Sequence, residues 1–141
     1  MKQKANILVV DDSISMCKTM SSILKHNGYA VTSAIDGLEA IDRARERPFD
    51  ITFMDIKMPR MDGVEAYRRI KQIRPDWVVI MMTAYSDDDL LEQALQVGAY
   101  DILYKPLDME EILMMVDEIL AGNRGRPQNH KTKTPSLINT Q

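Results

Sequence analysis

Hydrophobic residues along this chain alternate between short apolar runs and longer stretches in which they recur at three- and four-residue spacing. Five runs have the length and composition of strands: ILVV at 7–10, AVTSA at 30–34, ITFM at 51–54, VVIMM at 78–82 and ILY at 102–104. The first, third and fourth are the most continuously apolar, as strands covered on both faces by helices must be, and are predicted at the centre of a parallel sheet.

The intervening segments carry helical periodicity, as in Ile14, Cys17 and Met20 with Ile23 and Leu24, then Val64, Tyr67 and Ile70, and later Ile112, Val116 and Ile119. Three of these segments announce their starts. Asp36, Asp62 and Asp108 each stand three residues before a glutamate (Glu39, Glu65, Glu111), the spacing of a capping box with aspartate at the cap. Gly28 and Gly98 follow the first and fourth helical stretches, where a left-handed residue ends a helix at little cost.

Five strand–helix units with short connections predict an α/β fold, a doubly wound (βα)5 parallel sheet, because each right-handed crossover must lay its helix on one face. Such sheets bind ligands beyond the carboxyl ends of their strands. That is where the chain places its polar strand ends: Asp11 and Asp12 after the first run, Asp55 after the third, Thr83 after the fourth and Lys105 after the fifth. No other residue set in the chain converges in this way.

Those side chains suit phosphoryl chemistry. Adjacent carboxylates joined by Asp55 supply hard oxygen ligands for Mg²⁺, which needs only one or two carboxylates beside phosphate oxygen and water. The metal would also relieve the repulsion among the acids. Asp55, on the central strand, is the best-placed nucleophile for forming an acyl phosphate. Mg²⁺, the Lys105 ammonium, and the Thr83 hydroxyl with nearby backbone N–H groups would then partner the three equatorial oxygens.

Composition narrows the setting. The 141 residues suit one domain, 45% hydrophobic content suits an ordinary core, and a single cysteine excludes a disulfide scaffold. No apolar stretch approaches the roughly 20 residues of a membrane helix, and MKQKAN is not a signal-peptide core, so a soluble cytoplasmic protein is expected. The net charge of −3 is uneven, because residues 122–141 hold Arg124, Arg126, Lys131 and Lys133 and no acid. This basic, apolar-poor stretch is expected to be a disordered tail or linker after a domain spanning residues 1–121. Its four scattered charges make a poor nucleic-acid patch.

The motifs VVDDS (9–13), MDIKMPRMDG (54–63), MMTAY (81–85) and YKP (104–106), in this order and at these intervals, resemble the receiver domain of two-component response regulators over residues 5–121. The resemblance implies the flavodoxin-like strand order 2-1-3-4-5 and a phosphoacceptor switch rather than an enzyme. It implies that Asp55 is charged from a phosphohistidine of a histidine kinase or phosphotransfer protein, with Asp11, Asp12 and the Lys57 carbonyl helping to hold Mg²⁺. Thr83 and Lys105 become the switch hydroxyl and the phosphate-binding lysine, and the Lys105–Pro106 peptide is expected to be cis. Phosphorylation would bias the fourth helix, fifth strand and fifth helix toward binding a downstream effector, as a monomer or phosphorylation-dependent dimer. With no effector domain before residue 141, the chain reads as a free-standing regulator, a phosphorelay intermediate or an excised receiver.

One position departs from the family pattern. Three residues before the lysine, where an aromatic side chain is usual, stands Ile102, read as passive filler, with Tyr100 and Tyr104 sharing its strand parity if the strand extends that far. By the same resemblance, Lys57 and Tyr85, two residues beyond Asp55 and Thr83, border the approach of a hydrolytic water and would tune phosphate lifetime; from the residues alone, they read equally as exposed loop residues without kinetic consequence.

Other readings compete. Asp11 or Asp12 would serve equally as a helix-capping acid before Ser13, and Asp87, Asp88 and Asp89 read as the first turn of the fourth helix rather than as ligands. Met16, Met20, Met81, Met82, Met114 and Met115 read as core filler, Cys17 as packing, and His26 and His130 show no ligand spacing. An Mg²⁺-dependent aspartate-nucleophile phosphohydrolase would place its acids as Asp-x-Asp, whereas here they are adjacent. A flavodoxin-like electron carrier would need a hydroxyl-rich loop where DDSIS stands. A phosphorylation-independent interaction domain would have no need of all five polar side chains.

Overall fold

In the computed structural model of the chain, residues 5–84 and 88–123 are described, and every predicted run among them forms a strand. The strands are β1 (Asn6–Val10), β2 (Ala30–Ala34), β3 (Ile51–Asp55), β4 (Val78–Thr83) and β5 (Asp101–Tyr104). They alternate with α1 (Ile14–His26), α2 (Gly37–Glu46), α3 (Gly63–Ile73), α4 (Asp88–Val97) and α5 (Met109–Glu118), and a π-helical turn, Ile119–Asn123, follows. All neighbours pair in parallel in the order β2-β1-β3-β4-β5. The doubly wound sheet and its strand order are therefore those expected.

Side-chain alternation along the strands divides the core in two. Leu8, Val10, Met54, Val79, Met81 and Ile102 pack under α2, α3 and α4, while Ile7, Val9, Phe53, Ile80, Met82 and Leu103 pack under α1 and α5. β3 and β4 are buried along their whole length, which is why their sequences read as apolar runs. Among the methionines read as core, Met20, Met81, Met82 and Met115 are fully buried, but Met114 is 61% exposed because the apolar stripe of α5 turns Met115 and Val116 inward instead.

Helix starts follow the sequence signals with one variation. The carboxylates of Asp36, Asp62 and Asp108 accept the amides of Glu39, Glu65 and Glu111 at 2.8, 2.9 and 3.3 Å. Glu39 returns the bond one residue early, to the Ile35 amide, and Glu65 instead pairs with Arg69 at 3.0 Å, so the reciprocal box is only partly closed. Gly28 and Gly98 have φ of 95° and 122°, and the residue after each donates to a carbonyl five positions back (Leu24 and Ala94), closing the turn that ends each helix. The basic tail from residue 124 and Asp87 lie outside the described residues.

Two contacts attach the end of β3 to its surroundings. The Ile56 amide donates to Met82 O at 2.8 Å, extending the pairing with β4 by one residue, and Gly63 N donates back to Ile56 O at 2.7 Å. The second contact brings α3 so close beneath β3 that a Cβ on Gly63 would stand 2.2 Å from Asp55 O. Gly63→Ala is therefore expected to destabilise the protein by about 3 kcal/mol through forced backbone displacement, measured as a lowered midpoint in urea denaturation with an unchanged m value.

Candidate functional site

Asp11, Asp55, Thr83 and Lys105 arrive at one edge of the sheet because β1, β3, β4 and β5 are adjacent, parallel and in register. Asp55 and Thr83 are the last residues of their strands, and Asp11 and Lys105 the first beyond theirs. The edge is largely closed to solvent: Asp11 and Thr83 are fully buried and Asp55 is 5% exposed, while Asp12 is exposed at its rim.

Asp11, Asp12 and Asp55 each offer a carboxylate oxygen within 4.8 Å of the others. Lys105 Nζ lies 2.9 Å from Asp11 Oδ2 and 3.7 Å from Asp55 Oδ1, so one ammonium addresses two of the three acids. The Lys105–Pro106 peptide is cis, as expected, and Lys105 N donates to Thr83 O at 2.7 Å, which ties the lysine loop to the end of β4. Asp11 is further fixed by the Ser13 amide on Oδ1 at 2.9 Å, and its own amide donates to Ala34 O at 3.1 Å. The cap of α1 is Ser13, whose hydroxyl accepts the Met16 amide, so neither Asp11 nor Asp12 caps that helix.

Burial and the crowding of negative charge show in the protonation of Asp55. Burial, then the neighbouring Asp11 and Asp12, push its carboxyl up to about 7, against the opposing pull of Lys105 and of a hydrogen bond from the Lys57 backbone N–H. Lys105 is pulled down by its own burial, but the hydrogen bond to Asp11 and the charge of Asp55 outweigh that and raise it. At neutral pH the site thus carries more negative charge than its lysine offsets, and three hard oxygen donors gathered around an excess charge suit a divalent cation.

Several residues invisible to sequence reasoning support this arrangement. The Cys17 thiol is buried and donates to Asp11 O at 3.2 Å, so its packing role extends to the strand end that carries the acids. Arg60 adopts φ of 70° at the apex of the loop between β3 and α3, a conformation no arginine announces in sequence. At β5, Ile102 is buried in the core under α4, as filler would be, while Tyr100 precedes the strand and packs on the opposite face. The shared parity considered for Tyr100 thus fails because the strand begins at Asp101, and only Tyr104, 38% exposed, stays on the Ile102 side. The Lys57 side chain is exposed, and Tyr85 lies outside the described residues. No helix among the described residues is long and apolar enough to cross a membrane.

Comparison with known proteins agrees with this geometry. Residues 7–117 match the family model of the response regulator receiver domain. The chain is 41% identical over 134 residues to the transcriptional regulatory protein ZraR of Klebsiella oxytoca, covering 95% of this chain but only 30% of that regulator. Against the sporulation initiation phosphotransferase F of Bacillus subtilis it is 36% identical over 115 residues, covering 81% of this chain and 92% of the relative. The solved CheY-like receiver domain protein of Methanospirillum hungatei superposes with a TM-score of 0.80 at 29% identity, covering 82% of this chain and 93% of that one. The likeness thus reaches whole single-domain relatives and one part of longer regulators, and this chain belongs to the response regulator receiver domain family.

Proposed function

We propose that Asp55 is the phosphoacceptor, charged from a phosphohistidine of a histidine kinase or phosphotransfer protein, with Mg²⁺ held by Asp11, Asp12, Asp55 and the Lys57 carbonyl. The observation that carries this reading is the convergence of Lys105 Nζ on both Asp11 and Asp55, with Asp12 in the same 4.8 Å cluster. A bound Mg²⁺ would supply positive charge for a phosphoryl oxygen and offset the burial and repulsion that raise the Asp55 carboxyl.

The chain's own groups perform the transfer. An Asp55 carboxylate oxygen attacks phosphorus in line, an O–P bond forms as the N–P bond of the donor breaks, and the electron pair returns to the imidazole nitrogen. Lys105 turns from Asp11 and Asp55 toward a phosphoryl oxygen, for which a flexible ammonium is suited. The Lys57 backbone N–H, already bonded to Asp55, and the Thr83 hydroxyl would take the remaining oxygens. The output is a population shift in α4, β5 and α5 read by a downstream effector protein or domain, a switch in the cytoplasm without released product.

Two outcomes are expected. Incubation with Mg²⁺ and acetyl phosphate should give an acid-stable, base-labile adduct mapped by mass spectrometry to Asp55; it should be absent in Asp55→Asn and reduced about 100-fold in initial rate in Lys105→Ala. The second concerns pH. Because the folded Asp55 carboxyl titrates near 7 and an unfolded one near 3.8, the native state binds the extra proton, so metal-free stability falls as pH rises between those values. That loss, on the order of 4 kcal/mol, should disappear in Asp55→Asn and shrink at saturating Mg²⁺ when unfolding is followed by urea at each pH.

A further inference from the structure

The acidic pocket has two walls, and side-chain contacts join them at their outer rim. One wall is the β1–β2 edge, where Asp11 N donates to Ala34 O and the chain continues through Ile35 to Asp36, the cap of α2. The other is the loop between β3 and α3, residues 56–62, whose Lys57 amide bonds to the Asp55 carboxylate and whose ends are drawn together by Gly63 N to Ile56 O at 2.7 Å. At the apex of that loop Met61 N donates to Pro59 O at 2.7 Å across Arg60, and φ of 70° at Arg60 makes this the strained, positive-φ form of γ-turn.

Such a turn persists on a bulky residue only where its surroundings over-determine it. Here two contacts reach across to α2. Arg60 Nη2 lies 3.3 Å from Asp36 Oδ2, while Asp36 Oδ1 caps Glu39 N at 2.8 Å, so the two oxygens of one carboxylate serve the loop and the helix separately. Met61 lies over Gly37, where a Cβ would stand 2.9 Å from its sulfur. The Arg60 side chain is 71% exposed, so the ion pair by itself adds little to global stability. Its position is what matters: it ties the apex of the Asp55–Lys57 loop to the wall that carries Asp11.

We propose that Arg60 is a positioning residue for the metal site, a strut that through Asp36 holds the Lys57 peptide and Asp55 at the spacing from Asp11 that a divalent cation requires. This rests on the Mg²⁺ reading above. Arg60 touches neither metal nor phosphoryl group. Its effect is preorganisation: a loop already held in the bound shape gives up less freedom when the cation arrives.

The test is Mg²⁺ titration by calorimetry on the whole chain, with metal-free stability measured in parallel by urea. Arg60→Gly relieves the backbone strain, and Asp36→Asn keeps an oxygen for the α2 cap while removing the charge. Both are expected to retain metal-free stability yet bind Mg²⁺ about fivefold more weakly, and their combination should be no weaker than either alone. Arg60→Lys, still able to present a cation to Asp36, should stay within about twofold of wild type. Arg60→Gly binding Mg²⁺ within about twofold of wild type, or affinity losses that only track stability or simply add, would overturn the proposal. If the wild type binds no Mg²⁺ in this titration, the metal reading fails first, and the strut has nothing to position.

Discussion

Three carboxylates drawn to within 4.8 Å of one another at a closed sheet edge repel, and the contact that makes the cluster tenable is the 2.9 Å ion pair between Lys105 and Asp11. Removing the cation from such a buried pair leaves an uncompensated charge, a loss of roughly 3–5 kcal/mol. One lysine cannot neutralise three acids, however, and burial, reinforced by the charges of Asp11 and Asp12, raises the Asp55 carboxyl to about 7. The fold therefore holds its central acid in a state that gains from any added positive charge. A receptive site and a local instability are here the same feature.

The scaffold tolerates this because the acids are attached to its most rigid part. β3 and β4 are buried on both faces, and the pairing of Ile56 with Met82 carries the ladder one residue past Asp55. Gly63 lets α3 press against the Asp55 carbonyl, and Lys105 N on Thr83 O fixes the lysine loop to β4. Backbone contacts thus set where the carboxylates stand, leaving the Lys105 side chain free to change partners. That division suits a domain whose acceptor must stay in place while its charge changes.

On the proposed reading, the same sheet edge would connect the site to the surface that responds. Thr83 pairs in register with Tyr104, which is partly exposed on β5, and Ile102 one step below is packed under α4. A displacement of Thr83 toward a modified Asp55 would be felt first at this strand pair, since densely packed neighbours do not deform continuously. On the proposed switch reading, a β-branched isoleucine at 102 in place of a long aromatic would leave that transmission to packing rather than to a ring that swings between core and solvent.

How much of this was legible from residues alone depended on the kind of signal. Apolar runs and three-residue Asp–Glu spacing are local, so five strands, three aspartate caps and the strand-end convergence of Asp11, Asp12, Asp55, Thr83 and Lys105 were readable in the chain itself. The start of β5 was displaced by one residue, and Met114 was placed inside, because edges and faces are decided by what packs against them. Three features belonged to tertiary structure alone: the choice of Asp11 as the principal partner of Lys105, the rise in the Asp55 pKa, and the positive-φ turn at Arg60 braced on Asp36. Each depends on distances between segments remote in sequence. Residue type determined which chemistry the strand ends can perform; only the folded geometry decided which charges meet, how closely, and with how little water between them.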